Sequence, residues 1–364
     1  MQILNVVGAR PNLMKIAPLV EEMEHWPDLQ QTLLHTGQHY DEKMSQIFFD
    51  QLGIPRPDIY LGIGSGSHAE QTAQVMVEFE KALPEVQPDV VVVVGDVNST
   101  LACAITAAKL WIPVAHVEAG LRSGDRRMPE EINRIVTDAL SDFLFTTSRA
   151  ANENLNQEGI PPEKIFFVGN LMIDTLLKYR EQARASGTPE GFGLQPGEYA
   201  LLTLHRPSNV DVPEVFSGIL DALVAIQREL PILFPAHPRT IKRIEEFGFT
   251  KRLNTASNLH LVEPLGYLEF LDLMKHARIV LTDSGGIQEE TTILGVPCLT
   301  LRENTERPIT ITEGTNTLVG VDPERIAHAV QRILSGESKA GRTPELWDGQ
   351  TAGRIVTILK EKLA

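Results

Sequence analysis

Short apolar runs rich in β-branched residues alternate with stretches of helical periodicity along the whole chain, the pattern of stacked βα units around parallel sheets. In the first half these runs predict strands at 2–7, 31–35, 90–94, 113–117, 143–146 and 165–168. Val90 to Val94 is an unbroken valine run without alternation, which suits a central strand covered on both faces. After the first strand, Leu13, Ile16, Ala17, Val20 and Met23 fall at helical spacing, with Pro11 placed for a helix start and Pro18 expected to bend it. The second half repeats the scheme, with strands at 199–204, 231–235, 259–262, 278–282, 297–301 and 317–319 and helices at 323–334 and 350–362. Between the halves lies the polar stretch Ser186-Gly187-Thr188-Pro189-Glu190-Gly191. The expected organisation is an N-terminal domain over 1–172, a connector over 173–198, a second domain over 199–349 and a terminal helix over 350–364 that returns to the first domain. No internal repeat and no low-complexity segment interrupts this order.

Length supports the division, because 364 residues exceed the roughly 250–300 at which one hydrophobic core stops growing. A formal net charge of −15 argues against a broad electrostatic footprint for nucleic acid or an anionic membrane, so an anionic ligand needs a local basic pocket. Cys103 and Cys298 are the only cysteines, and they form neither a disulfide framework nor a thiolate metal site. No basic leader precedes the first strand and no apolar run nears the length of a membrane span, so a cytoplasmic protein is expected.

Candidate chemistry gathers at strand ends. Asp283-Ser284-Gly285-Gly286-Ile287-Gln288-Glu289-Glu290 follows Ile279-Val280-Leu281, so a buried strand ends in a glycine turn that opens a helix, where unpaired N–H groups meet anions. Alone, that segment fits a tight turn equally well. Val90 to Val94 runs into Gly95-Asp96, and Pro113 to Val117 runs into Glu118-Ala119-Gly120 after about a dozen helical residues. A right-handed crossover makes these strands parallel neighbours, placing both acids at one carboxyl edge, where open α/β sheets bind ligands. Taken singly, Asp96 reads first as a cap of the helix at Asn98-Ser99-Thr100, and Glu130, after Pro129, as a first-turn glutamate. Together the acids suggest proton transfer. Arg10 and Lys15 follow the first strand, His205-Arg206 ends another, and Arg302 and Arg307 flank Glu303 to Glu306. Each alone is an ordinary surface charge; their shared place at strand ends in both halves makes them candidates. Gly62-Ile63-Gly64-Ser65-Gly66-Ser67 lacks the third glycine of a dinucleotide loop and reads as a mobile loop. His35 and His39 span a strand exit rather than a helix, and no metal site is expected there.

Read together, these segments resemble the non-hydrolysing UDP-N-acetylglucosamine 2-epimerases. The resemblance is carried by Gly8-Ala9-Arg10-Pro11, Thr36-Gly37-Gln38-His39, Gly95-Asp96 with Ser99-Thr100, His116-Val117-Glu118-Ala119-Gly120-Leu121-Arg122-Ser123, Pro129-Glu130-Glu131 with Asn133-Arg134, Leu204-His205-Arg206, Asp283 to Glu290, and Thr305-Glu306-Arg307-Pro308. It implies an α/β fold of two Rossmann-like parallel-sheet domains facing across a cleft, of glycosyltransferase-B type. It also implies an isomerase that needs no cofactor or metal, acts on a UDP-sugar and forms a homodimer, supplying a precursor of cell-surface polysaccharide. The implied reaction eliminates UDP as the C2 proton leaves, forms a 2-acetamidoglucal, and re-adds UDP with a proton delivered to the opposite face. Asp96, Glu118 and Glu130 match the family's catalytic carboxylates, with His205 beside them. Arg10, Lys15, His205, Ser284, Gly285 and Gly286 match the diphosphate site or its surroundings, Glu290 the ribose contact, Phe270 the neighbour of uracil, and Arg307 a residue that helps close the site.

The chain departs from the family pattern at Asn12, where glutamate is common, at Pro207-Ser208, where Arg-Glu is frequent, and at Leu265, where enterobacterial relatives carry glutamine. Close relatives act on UDP-2,3-diacetamido-uronic acids, and Arg126-Arg127 beside the Glu130 segment would suit an extra carboxylate, although a solvated face explains the pair more simply. A glycosyltransferase of the same fold and a non-catalytic sugar-nucleotide sensor are further readings.

Overall fold

The computed structural model describes residues 1–37, 49 and 51–363. Two compact units emerge, one formed by Met1–Lys178 with Glu345–Ala364 and the other by Tyr179–Pro344. The first division falls inside the helix Leu171–Arg184, and the chain re-enters the first unit ahead of its terminal helix.

In the N-terminal unit the strands are β1 (Gln2–Val7), β2 (Gln30–His35), β3 (Ile59–Tyr60), β4 (Val90–Val94), β5 (Val114–Ala119), β6 (Phe143–Thr146) and β7 (Ile165–Phe167). They form one parallel sheet in the order β3-β2-β1-β4-β5-β6-β7. The principal helices are α1 (Arg10–Glu24), α2 (His68–Val86), α3 (Asn98–Lys109), α4 (Pro129–Leu140), α5 (Arg149–Gln157) and α6 (Leu171–Arg184). Every valine of β4 is buried, as its unbroken apolar run requires, and Leu4, Val6, Phe79 and Ala104 pack against the same layer. Helix α1 opens with Arg10-Pro11 and continues through Pro18. The glycine-rich segment ahead of α2 is a loop that ends in Ser67, whose hydroxyl accepts the Glu70 N–H and caps that helix.

The C-terminal unit repeats the plan with β8 (Ala200–Thr203), β9 (Ile232–Pro235), β10 (Leu259–Val262), β11 (Ile279–Thr282), β12 (Cys298–Thr300) and β13 (Asn316–Leu318) in the order β10-β9-β8-β11-β12-β13. Its helices include α7 (Pro213–Ile226), α8 (Pro238–Glu246), α9 (Tyr267–His276), α10 (Gly285–Leu294) and α11 (Pro323–Leu334). The terminal helix α12 (Thr351–Leu363) belongs to the first unit and packs on α1. Each sheet reverses its winding once, between β1 and β4 and between β8 and β11. A doubly wound sheet leaves a crevice beyond its carboxyl edge at that switch point, and the segments after β1, β4, β8 and β11 are those singled out by sequence.

Candidate active site

Strands β4 and β5 pair in parallel from Val91 with Val114 to Val94 with Val117, so Gly95-Asp96 and Glu118 leave the sheet side by side. Asp96 is not the cap of α3: Val97 holds that position, without a side-chain capping bond. Its carboxylate instead accepts a hydrogen bond from Arg134 Nη1 at 2.5 Å, and Asn133 donates to its carbonyl at 2.8 Å. With its side chain 27% exposed, Asp96 is held from α4 yet open to solvent.

Glu118 is arranged differently. It lies within β5 at a register shift against β6, and its backbone adopts φ +71°, a left-handed conformation that a non-glycine residue rarely keeps. The side chain is buried and its carboxylate meets Lys15 Nζ at 2.5 Å. Lys15 Nζ also lies 3.4 Å from where a Cβ on Gly95 would stand, so the ammonium sits against the segment that carries Asp96. Asn12 ties the neighbouring loop to the sheet: its amide donates to the Val94 carbonyl at 3.0 Å while its oxygen accepts the Ala9 N–H at 3.0 Å. An amide supplies both roles at once, which an ionised carboxylate does not, and this gives the departure at this position a local reason.

Glu130 occupies the first turn of α4 and is half-buried. Its neighbour Glu131 is buried and structural, accepting from the Ser123 and Gly124 N–H groups at 3.0 and 2.9 Å and pairing with Arg134. Burial pushes the Glu131 carboxyl up, but Arg134 and those backbone donors hold it below the usual carboxylate range. Arg134 therefore bridges Asp96 and Glu131, and the first turn of α4 is fixed beside the strand ends. Arg127 is 91% exposed and pairs with Asp125, a solvated arrangement. Arg10 begins α1, but its side chain, like His39, lies outside the described residues.

In the C-terminal unit, Asp283 is fully buried and accepts the backbone N–H of His205 and of Arg206, at 3.1 and 2.9 Å, together with the Asn209 amide at 3.2 Å. Its Oδ1 also lies 3.1 Å from His205 Nδ1. Burial raises the Asp283 carboxyl, yet His205 and the backbone donors hold it below the usual range. The His205 ring is thus oriented by Nδ1, leaving Nε2 on its far side, and the side chain is 40% exposed. Pro207 starts a short helix, Pro207–Val210, that carries Asn209, so the unusual proline sits where its fixed φ is favourable.

Ser284 precedes α10 and caps it with no side-chain bond, so the first-turn N–H groups have no side-chain cap. Gly285 is required by close approach: an added Cβ would stand 2.7 Å from Glu306 Oε1 and collide with the Arg307 guanidinium. Arg307 is buried and bridges Glu306 and Glu289, the latter at 3.0 Å. Arg302 donates to Glu306 at 2.8 Å and Arg206 approaches it at 3.9 Å. Burial pushes Glu306 up, but the surrounding guanidinium groups drive it far below the ordinary range. Three arginines thus gather around two carboxylates, Glu306 and Glu289, in a chain of net charge −15.

Glu290, one turn further along α10, is buried, and burial raises its carboxyl to about 8, with Tyr267 pulling down and Glu289 pushing up. The Tyr267 hydroxyl donates to Glu290 Oε1 at 2.9 Å, and Phe270 lies half-buried one turn later on α9. Sequence reasoning did not single out Tyr267 or Asp138, and it gave Glu131 and Arg134 no role of their own. The spacing of Glu131, Arg134 and Asp138, three and then four residues apart on one helix face, was the available signal. Among the described residues no group of three or more His, Cys, Asp or Glu side chains is arranged to hold a metal.

A family model described as UDP-N-acetylglucosamine 2-epimerase matches residues 21–360 of the chain. The UDP-N-acetylglucosamine 2-epimerase of Methanocaldococcus jannaschii is 45% identical over 364 residues, covering 99% of each chain. The UDP-2,3-diacetamido-2,3-dideoxy-D-glucuronate 2-epimerase of Pseudomonas aeruginosa is 41% identical over 362 residues, again covering 99% of each. A crystal structure of the Methanocaldococcus jannaschii UDP-GlcNAc 2-epimerase, in complex with UDP-GlcNAc and UDP, is similar at a TM-score of 0.93 and 44% identity, spanning 99% of this chain and 100% of that one.

Proposed function

The chain belongs to the UDP-N-acetylglucosamine 2-epimerase family, and from that membership we propose that it interconverts UDP-N-acetylglucosamine and UDP-N-acetylmannosamine by inversion at C2. The observation that carries the chemistry is the pair of acids leaving adjacent strands, Asp96 on Arg134 and the strained Glu118 on Lys15.

A C2 proton with no adjacent carbonyl is poorly acidic, so direct removal is slow. Elimination avoids this. The electron pair of the C2–H bond becomes the C1=C2 double bond, the C1–O bond to UDP breaks, and the proton passes to a carboxylate. Return of the UDP oxygen to C1, with a proton delivered to C2 from the other face, gives the epimer. Two faces need two proton-transfer groups, drawn from Asp96, Glu118 and Glu130. The leaving diphosphate must be retained, and the uncapped start of α10 with Ser284, Gly285 and Gly286, together with His205 and the arginines around Glu306, suits that task. In this scheme Arg10 and Lys15 add positive charge after β1, Glu290 takes the ribose hydroxyls and Phe270 lies along uracil. Lys15 pairs with Glu118, so its part is to hold that carboxylate rather than to meet the phosphates alone. The same reading makes the protein a cytoplasmic homodimer that feeds polysaccharide synthesis, and light scattering tests the dimer.

The deciding experiment incubates UDP-N-acetylglucosamine with the protein in D₂O. Deuterium at C2 and equilibration with the manno epimer are expected. Exchange only with a UDP-2,3-diacetamido-uronate would move the substrate to that of the Pseudomonas relative, and acceptor-dependent UDP release without C2 exchange would overturn the epimerase reading.

A further inference from the structure

Glu118 keeps a left-handed backbone inside a strand, a conformation that persists only where the surroundings over-determine it. Asp138, fully buried on α4, contacts the strand on either side of Glu118. Its Oδ1 meets His116 Nδ1 at 2.6 Å, two residues before Glu118, and its Oδ2 accepts the Gly120 N–H at 3.0 Å, two residues after it. Arg122 closes the same oxygen at 2.7 Å and is itself held by Glu158. One carboxylate therefore grips the strand on both sides of the strained residue. The other nitrogen of His116, Nε2, lies 2.8 Å from the carbonyl of Gly95, the residue that precedes Asp96.

We propose that Asp138 and His116 are positioning residues for proton transfer: Asp138 clamps Glu118 in its strained conformation, and His116 carries the same constraint across to the Gly95 carbonyl and so to Asp96. Both partners of the His116 ring are acceptors, a carboxylate and a carbonyl, so both contacts are made at once only by a ring with hydrogen on each nitrogen. The charges then close within the cluster, His116 and Arg122 against Asp138 and Glu158, as a buried network requires. Burial pushes the Asp138 carboxyl up, while His116 and Arg122 hold it below the usual carboxylate range, in keeping with an ionised clamp.

The inference rests on the proposed role of Asp96 and Glu118, and its test separates the two. In Asp138→Asn and in His116→Asn, C2 exchange with saturating UDP-N-acetylglucosamine is expected to slow by roughly 30-fold or more, with KM and the Kd for UDP within about threefold of wild type. His116→Asn keeps a donor toward Asp138 and loses the reach to Gly95, so it remains informative if Asp138→Asn fails to fold. Nitrogen-15 spectra of the wild-type protein should show two ring N–H protons on His116, and a structure of Asp138→Asn should show Glu118 out of the left-handed region. Wild-type exchange in both variants, a singly protonated His116, or loss of UDP affinity and thermal stability in parallel with activity would overturn the proposal. Absence of C2 exchange in the wild-type protein would instead overturn the epimerase reading, while the ring-proton and Glu118 backbone measurements would still decide the clamp.

Discussion

The two sheets share one winding, with a reversal between β1 and β4 in the first and between β8 and β11 in the second, yet their switch points carry opposite electrostatic designs. At the N-terminal edge each acid has a designated partner, Asp96 on Arg134, Glu118 on Lys15 and Asp138 on Arg122 and the His116 ring, and one of them is held in a strained backbone. At the C-terminal edge three arginines converge on Glu306 beside an uncapped helix start, and Glu290 is kept close to neutral by burial. In the proposed reaction the first arrangement would fix groups that exchange protons, and the second would offer arginines and N–H donors to an anion. Equivalent frames thus serve different chemistry because function lies in the residues set on them.

The sharpest break of this comparison separates catalysis from binding. Glu118→Gln and Asp96→Asn should each slow C2 deuterium exchange by a factor on the order of 100 or more, while UDP affinity measured by calorimetry stays within about threefold. Wild-type exchange in both variants would remove the proton-transfer role from this edge.

Gly285→Ala addresses the other edge. The added methyl meets Glu306 and Arg307 side chains that are buried and ion-paired, so they have little room to yield. Overpacking of that kind costs about 1–3 kcal/mol, and UDP binding should weaken by roughly tenfold or more. Exchange at saturating substrate should fall far less than in Glu118→Gln. Equal losses in both measurements would mean that the two edges do not divide the work as described.

A smaller effect is expected from Tyr267→Phe. In the ligand-free protein the Glu290 carboxyl titrates near 8, and ribose hydroxyls are best accepted by its ionised form. UDP affinity should therefore rise with pH toward about 8 and then level. The Tyr267 hydroxyl pulls that value down, so its loss moves the window upward and weakens binding at pH 7.5 by a factor of about five, the worth of one net hydrogen bond. An unchanged pH profile would take Glu290 out of the ribose site.

The sheets were legible in the sequence because their strands are short, apolar and β-branched, and Val90 to Val94 announced a central strand outright. The edge strand β3 was not, since Ile59–Tyr60 offers no period to read. The division between Lys178 and Tyr179 lies inside the connector expected over 173–198, although within α6 helical spacing simply continues and marks no exact point. The acids at the strand ends could be found by position alone. What holds them could not: the positive φ of Glu118 and the reach of Lys15 from α1, Arg134 and Asp138 from α4 depend on how distant elements pack. Asp96 read first as a helix cap because Asn98-Ser99-Thr100 looks like a helix start, whereas its carboxylate is claimed by an arginine a full βα unit away.

The smallest effect is one that leaves chemistry untouched, and it turns on a second carboxyl raised by burial. Asp174 on α6 is raised to about 6, while its Oδ2 accepts the Ala352 N–H at 2.9 Å and fastens the start of α12. A folded value above the ordinary 3.8 means that the folded protein binds more protons than the unfolded chain between those two values. Its contribution is therefore most favourable below about pH 4 and is lost as pH rises to about 6, a change on the order of 2–3 kcal/mol. Asp174→Asn keeps an acceptor for the Ala352 N–H and removes the charge. Urea unfolding at pH 4.5 and 7 should show a smaller drop in stability across that interval for the variant than for the wild type, with C2 exchange unchanged. Glu290 acts in the same direction over a wider window, up to about 8, so the difference between variant and wild type isolates Asp174. Identical drops would mean that α12 is fastened without regard to this charge, and that burial alone does not set apart the carboxyl that binds ligand from the one that holds the fold.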